Sequence, residues 1–120
     1  MKFVYVTIKV RDMEESLKFY RDIVGLSIDA KISAGPNREI VFLGDGETKV
    51  ELIEDNGVED IDLGQDISIG FGVDSLDETM DFVKEKGLEM HSGPFQPNPD
   101  TRFFYVLDPN GLRIQFVEQR

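Results

Sequence analysis

The chain carries one pattern twice, about 63 residues apart. When residues 4–25 are set beside residues 67–87, Val10 falls on Val73, Met13 on Leu76, Glu15 on Glu78, Leu17 on Met80 and Phe19 on Phe82. Later in each half, VFLGDGETKVEL (residues 41–52) lies against YVLDPNGLRIQF (residues 105–116) at a shift of 64. A duplicated unit predicts a pseudo-two-fold object, with its ligand site where the copies meet.

Each copy follows the same local plan. Residues 3–10 alternate, with Val4, Val6, Ile8 and Val10 on one face and Phe3, Tyr5, Thr7 and Lys9 on the other, which is the period of a strand with one buried face. Asp12 with Glu15 forms a capping box that opens a helix, Met13, Leu17, Tyr20 and Val24 supply its apolar stripe, and Gly25 ends it. Strands follow at 26–32, 38–43 and 48–54, the last two joined at Gly44-Asp45-Gly46-Glu47, where Asp-Gly suits a primed hairpin turn. In the second copy Ile67, Ile69, Phe71 and Val73 form the buried strand face, and Ser75 with Glu78 repeats the capping box. Leu76, Met80 and Val83 line the helix, which ends at Gly87. Strands at 88–92, 102–107 and 112–118 complete the copy, with Asp108-Pro109-Asn110-Gly111 as the turn. Both halves read β-α-β-β-β. The predicted class is α+β: one domain over 1–120, with module one at 1–55, an acidic linker at 56–66 and module two at 67–120.

With 120 residues, 40% apolar and 31% charged, the chain suits a compact globular domain. The formal net charge of −11 opposes a nucleic-acid partner, which needs a basic surface, and favours cations in the surrounding field. No apolar run reaches the roughly 18 residues of a membrane span, and the opening residues alternate as a strand rather than forming a signal peptide. The absence of cysteine removes disulfides and thiolate metal sites and fits a cytoplasmic location.

A helix covers a sheet with its apolar stripe, so the aliphatic strand faces lie under the helices and the mixed faces are open. The open face of the first copy is read as Tyr5, Thr7, Lys9, Arg38, Ile40, Phe42, Lys49, Glu51 and Ile53. That of the second is read as Ser68, Gly70, Gly72, Arg102, Phe104, Val106, Arg113, Gln115 and Val117. On this reading Arg38 and Arg102 are equivalents, as are Glu51 and Gln115, and Tyr5 and Ser68. Aromatic and small residues with a few polar groups suit a small-molecule site.

The run RDMEESLKFYRDIVGL (residues 11–26), the Asp108–Gly111 turn followed by LRIQFVE, and the paired βαβββ plan resemble the vicinal oxygen chelate superfamily. That group includes glyoxalase I, bleomycin-resistance proteins, fosfomycin-resistance enzymes and extradiol dioxygenases. The resemblance spans essentially the whole chain. It implies two modules curling into a half-open, cup-shaped mixed sheet with helices outside, and a homodimer. It also implies metal ligands on the first and last strands of each half, which are Tyr5, Glu51, Ser68 and Gln115 here. A glyoxalase-type enzyme offers His or Gln, Glu, His and Glu at those places, so only Glu51 matches as a strong ligand. One carboxylate among neutral oxygen donors is a poor divalent-metal site.

Each candidate has two readings. Glu51 is a residual ligand or general base, or a carboxylate paired with Arg or Lys across the face. Tyr5 stacks on a flat ligand, or packs on Phe42 or Phe104. Ser68, Gly70 and Gly72 leave side-chain room on one strand. Arg38 and Arg102 bind an anionic ligand group or are surface arginines. Lys9 matches a basic residue of some glutathione-using glyoxalases, which points to a carboxylate-bearing substrate. His91, the only histidine, reads as structural or exposed. The leading expectation is a metal-independent protein binding a small, cationic or aromatic molecule through Tyr5, Thr7, Lys9, Arg38, Phe42, Ser68, Arg102, Phe104 and Gln115, with no cofactor. The alternatives are a glyoxalase I-like lyase or isomerase using nickel, zinc, cobalt, iron or manganese, with Glu51 catalytic, and a dimeric module with a vestigial cup.

Overall fold

A computed structural model describes residues 1–58, 60–64 and 66–120. The first half contains β1 (Tyr5–Lys9), α1 (Met13–Lys18), a π-helical turn (Phe19–Ile23), β2 (Ile28–Ser33), β3 (Arg38–Leu43) and β4 (Lys49–Asp55). The second contains β5 (Ser68–Gly72), α2 (Leu76–Glu85), β6 (Ser92–Asn98), β7 (Thr101–Leu107) and β8 (Arg113–Gln119). The chain divides into two compact units, Met1–Leu63 and Gly64–Arg120. Each unit has its own four-stranded mixed sheet, ordered β1-β4-β3-β2 and β5-β8-β7-β6. In both, the first strand runs parallel to the last and the other pairs are antiparallel. The α+β class and the two βαβββ modules are therefore present.

The duplicated capping boxes form as their spacing predicts. Asp12 accepts from the Glu15 amide and Ser75 from the Glu78 amide, each at 3.2 Å. A second pair of caps comes from the far end of each module. The Glu54 carboxylate accepts from the Met13 amide at 2.5 Å, and Glu118 from the Leu76 amide at 2.9 Å. A carboxylate at a helix N-terminus satisfies an orphan donor and meets the positive end of the dipole. That bond holds Glu118, buried at 8% exposure, below its ordinary carboxylate range, with Arg120 adding to the effect.

The core of the first unit includes Ile8, Val10, Met13, Phe19, Tyr20, Val41, Leu43 and Leu52. That of the second includes Leu76, Val83, Phe104, Val106, Ile114 and Phe116. Three local expectations are corrected. The first helix is not one α-helix to Val24: its end winds as a π turn, with the Val24 amide donating to the Phe19 carbonyl, and this brings the adjacent Phe19 and Tyr20 both into the core. The strand expected at 88–92 lies instead at Ser92–Asn98, where two prolines are tolerated because β6 is an edge strand with a broken register. The hairpin at residues 44–47 is not a primed turn, because positive φ falls on Gly44 (118°) and not on Asp45 or Gly46. There the Lys49 ammonium ties the turn by donating to the Gly44 and Gly46 carbonyls, at 2.9 and 2.7 Å.

Candidate functional site

The strand register decides which side chains share each open face. In the first unit Tyr5 pairs with Lys49, Thr7 with Glu51, Phe42 with Glu51 and Arg38 with Asp55. Alternation therefore places Tyr5, Thr7, Lys9, Arg38, Phe42, Glu51 and Asp55 on one face, as expected for all but Asp55. The Tyr5 and Phe42 rings meet edge-on at 5.6 Å, so of its two candidate neighbours Tyr5 takes Phe42. Thr7 Oγ1 donates to Glu51 at 2.5 Å. Asp55 receives two cations of the face: Lys9 Nζ at 2.6 Å, and Arg38 through Nε at 2.6 Å and Nη2 at 3.3 Å. Those hydrogen bonds, Arg38's first, hold the Asp55 carboxyl at about 2, below its ordinary 3.8, and the same pairing raises Arg38. The hydrogen bonds of these cations go to Asp55, and the Glu51 charge adds only the smallest contribution to the raising of Arg38. Extending the β4 alternation by one residue would have found Asp55.

In the second unit the expected face is wrong for β7. Tyr105 pairs with Gln115 and Phe103 with Val117, while Phe104 pairs with Phe116 and Arg102 with Glu118. Phe104 is fully buried at 0% exposure and Val106 with it. Arg102 lies on the helix side, donating to Asp77 of α2 at 3.1 Å. Neither Phe104 nor Arg102 belongs to the open face, and Arg102 is not the equivalent of Arg38. The physical reason is one residue in a hairpin. Glu51 and Gln115 correspond at a shift of 64, but their partners Phe42 and Tyr105 correspond at 63. A one-residue slip turns every side chain of a strand to the other face. The longer turn is held by the buried Asp108, whose carboxylate accepts from the Asn110 and Leu112 amides at 2.8 and 2.9 Å.

The open face of the second unit thus carries Ser68, Gly70 and Gly72 beside Phe103, Tyr105, Leu107, Arg113 and Gln115. Phe95 of β6 joins it: ring centroids are 5.5 Å apart for Phe95–Phe103, 5.8 Å for Phe103–Tyr105 and 6.4 Å for Phe95–Tyr105. Gln115 Nε2 donates to the Tyr105 hydroxyl at 3.0 Å. A Cβ on Gly70 would stand 3.1 Å from Gln115 Oε1, so the glycine there makes room for the amide. A cavity of about 390 Å³ is lined by Gly64, His91, Leu107, Gly111 and Arg113. His91 is exposed and sits 3.2 Å from the Ser92 hydroxyl. Because β7 is apolar on both faces, its periodicity alone could not reveal Phe103 and Tyr105 as site residues.

Within each unit the two positions implied as ligands lie on one face, one step apart on paired strands: Tyr5 near Glu51, and Ser68 near Gln115. The residues do not fit a divalent metal. Phenol, hydroxyl and amide occupy three of the four positions, and the one carboxylate is engaged by Thr7. Among the described residues no group of three or more His, Asp or Glu is arranged to hold an ion. No helix among them is long and apolar enough to cross a membrane.

The family model of the glyoxalase/bleomycin resistance protein/dioxygenase superfamily matches residues 2–116. The chain is 30% identical to a lactoylglutathione lyase of Haemophilus influenzae, over 100% of this chain and 94% of that protein. A probable lactoylglutathione lyase of Synechocystis is also 30% identical, over 98% and 95%. Among solved structures, the trypanothione-dependent glyoxalase I of Leishmania major superposes with a TM-score of 0.85 at 22% identity, covering 98% of this chain and 86% of that one. The names of these relatives favour the lyase expectation over that of a metal-independent binder. By its matched length and its paired βαβββ modules, the chain belongs to the glyoxalase/bleomycin resistance protein/dioxygenase superfamily.

Proposed function

We propose that this protein binds a small molecule on an open sheet face of its modules without a resident metal. The observation that supports this reading is the donor set: the positions that the resemblance implies as ligands carry Tyr5, Ser68 and Gln115, and the one carboxylate, Glu51, accepts from Thr7. The proposed contacts are Tyr5, Thr7, Lys9, Arg38, Phe42 and Glu51 on the face of the first unit and, separately, Ser68, Tyr105 and Gln115 on that of the second. The two cations that meet Asp55 are about half-exposed, so the trio orients the face more than it stabilises the fold.

The second reading is a glyoxalase I-like lyase or isomerase, and full-length likeness to lactoylglutathione lyases supports it. Glu51, half-buried beside Tyr5 and Phe42, is the residue it would use as base. The two readings part in one experiment: formation of lactoylglutathione from glutathione and a 2-oxoaldehyde with and without added nickel or zinc, beside melting curves against a small-molecule library. A ligand that raises the melting temperature with no turnover is the expected result. Metal-dependent turnover would establish the lyase instead.

A further inference from the structure

We propose that the open face of the second unit is a site for an aromatic carboxylate, its ring against Phe95 and Phe103 and its carboxylate between Arg113 and His91. The inference rests on the reading that the open faces bind a small molecule, and it is separable from the question of metal. Phe95, Phe103 and Tyr105 form a continuous aromatic cluster with all three centroid distances between 5.5 and 6.4 Å. Phe95 is 45% exposed, so the cluster presents an aromatic surface that a ligand ring can reach. Tyr105 links this cluster to the cavity, because the Arg113 guanidinium stands 5.5 Å from its ring centroid and Arg113 also lines the cavity. The cavity's about 390 Å³ falls in the range of small-molecule pockets. Its two ionisable side chains, His91 and Arg113, are both donors when charged, and a guanidinium fork matches a carboxylate.

The protein's net charge of −11 opposes an anion at long range, but at physiological ionic strength that field is screened beyond roughly 8 Å. Contact groups therefore decide what is held.

The probes are 2-naphthoate and its neutral isostere 2-naphthamide, titrated calorimetrically against the whole chain. The expected result is binding of naphthoate about tenfold tighter than the amide, the scale of one charged hydrogen-bonded pair. Arg113→Met removes that preference and leaves amide binding in place, whereas Phe103→Leu weakens both. His91→Gln changes an exposed side chain and reduces the preference even if Arg113→Met fails to fold. Equal affinity for the two probes, an unchanged preference in folded Arg113→Met and His91→Gln, or no binding of naphthoate at millimolar concentration would each overturn the proposal. Bound metal in the same preparation would overturn the metal-free function and leave the acid-against-amide comparison intact.

Discussion

The two units share a backbone and differ in the chemistry of their open faces. Both have the same strand order, an N-cap from the residue before the helix, and a glutamate from the last strand on the first helical amide. Yet the first face is ionic, with Asp55 between Lys9 and Arg38, while the second is aromatic, with Phe95, Phe103 and Tyr105 beside two glycines. What holds the fold sits on the helix side and at the helix ends, so the open side is free to diverge.

The largest predicted effect separates the buried face from the open one. Phe104→Ala, emptying a site of 0% exposure, should cost about 3–5 kcal/mol in denaturant unfolding. Tyr5→Ala, on a residue 49% exposed, should cost under about 1 kcal/mol. Similar losses in the two variants would mean that the β7 register is misassigned.

That register is also where the sequence is hardest to read. The strand faces of β1, β4, β5 and β8 follow from alternation, and both capping boxes follow from spacing. β7 reads TRFFYVL, apolar at both phases, so only the turn length sets its face, and the second turn is one residue longer than the first. The π turn at Phe19 and the caps from Glu54 and Glu118 escape local patterns for another reason. They are satisfied by partners five residues back or more than forty residues away.

A smaller effect tests the shared part of the two units. Asp12→Ala and Ser75→Ala should each cost about 1 kcal/mol, since each removes one helix cap. A large inequality between them would show that the units are not stabilised alike.

The pH dependence should distinguish the faces. The folded value of Asp55 is depressed, so its contribution is complete above its ordinary 3.8 and is lost as pH falls towards about 2. Glu118, lowered by the Leu76 amide, follows the same sign. Asp55→Asn should therefore lower the melting temperature in the neutral region, where the contribution is complete, and converge with the parent protein as pH falls towards about 2. Glu51→Gln should change stability least, within about 0.5 kcal/mol, because an amide oxygen still accepts from Thr7.

The central claim is that neither open face holds a metal. Elemental analysis of the purified, untagged protein, with melting curves in nickel, zinc, cobalt and chelator, tests it most directly. No stoichiometric metal and no shift in melting temperature are expected. About one ion per chain, with stabilisation lost to chelator, would contradict it and place Glu51 among ligands of a lyase-type centre.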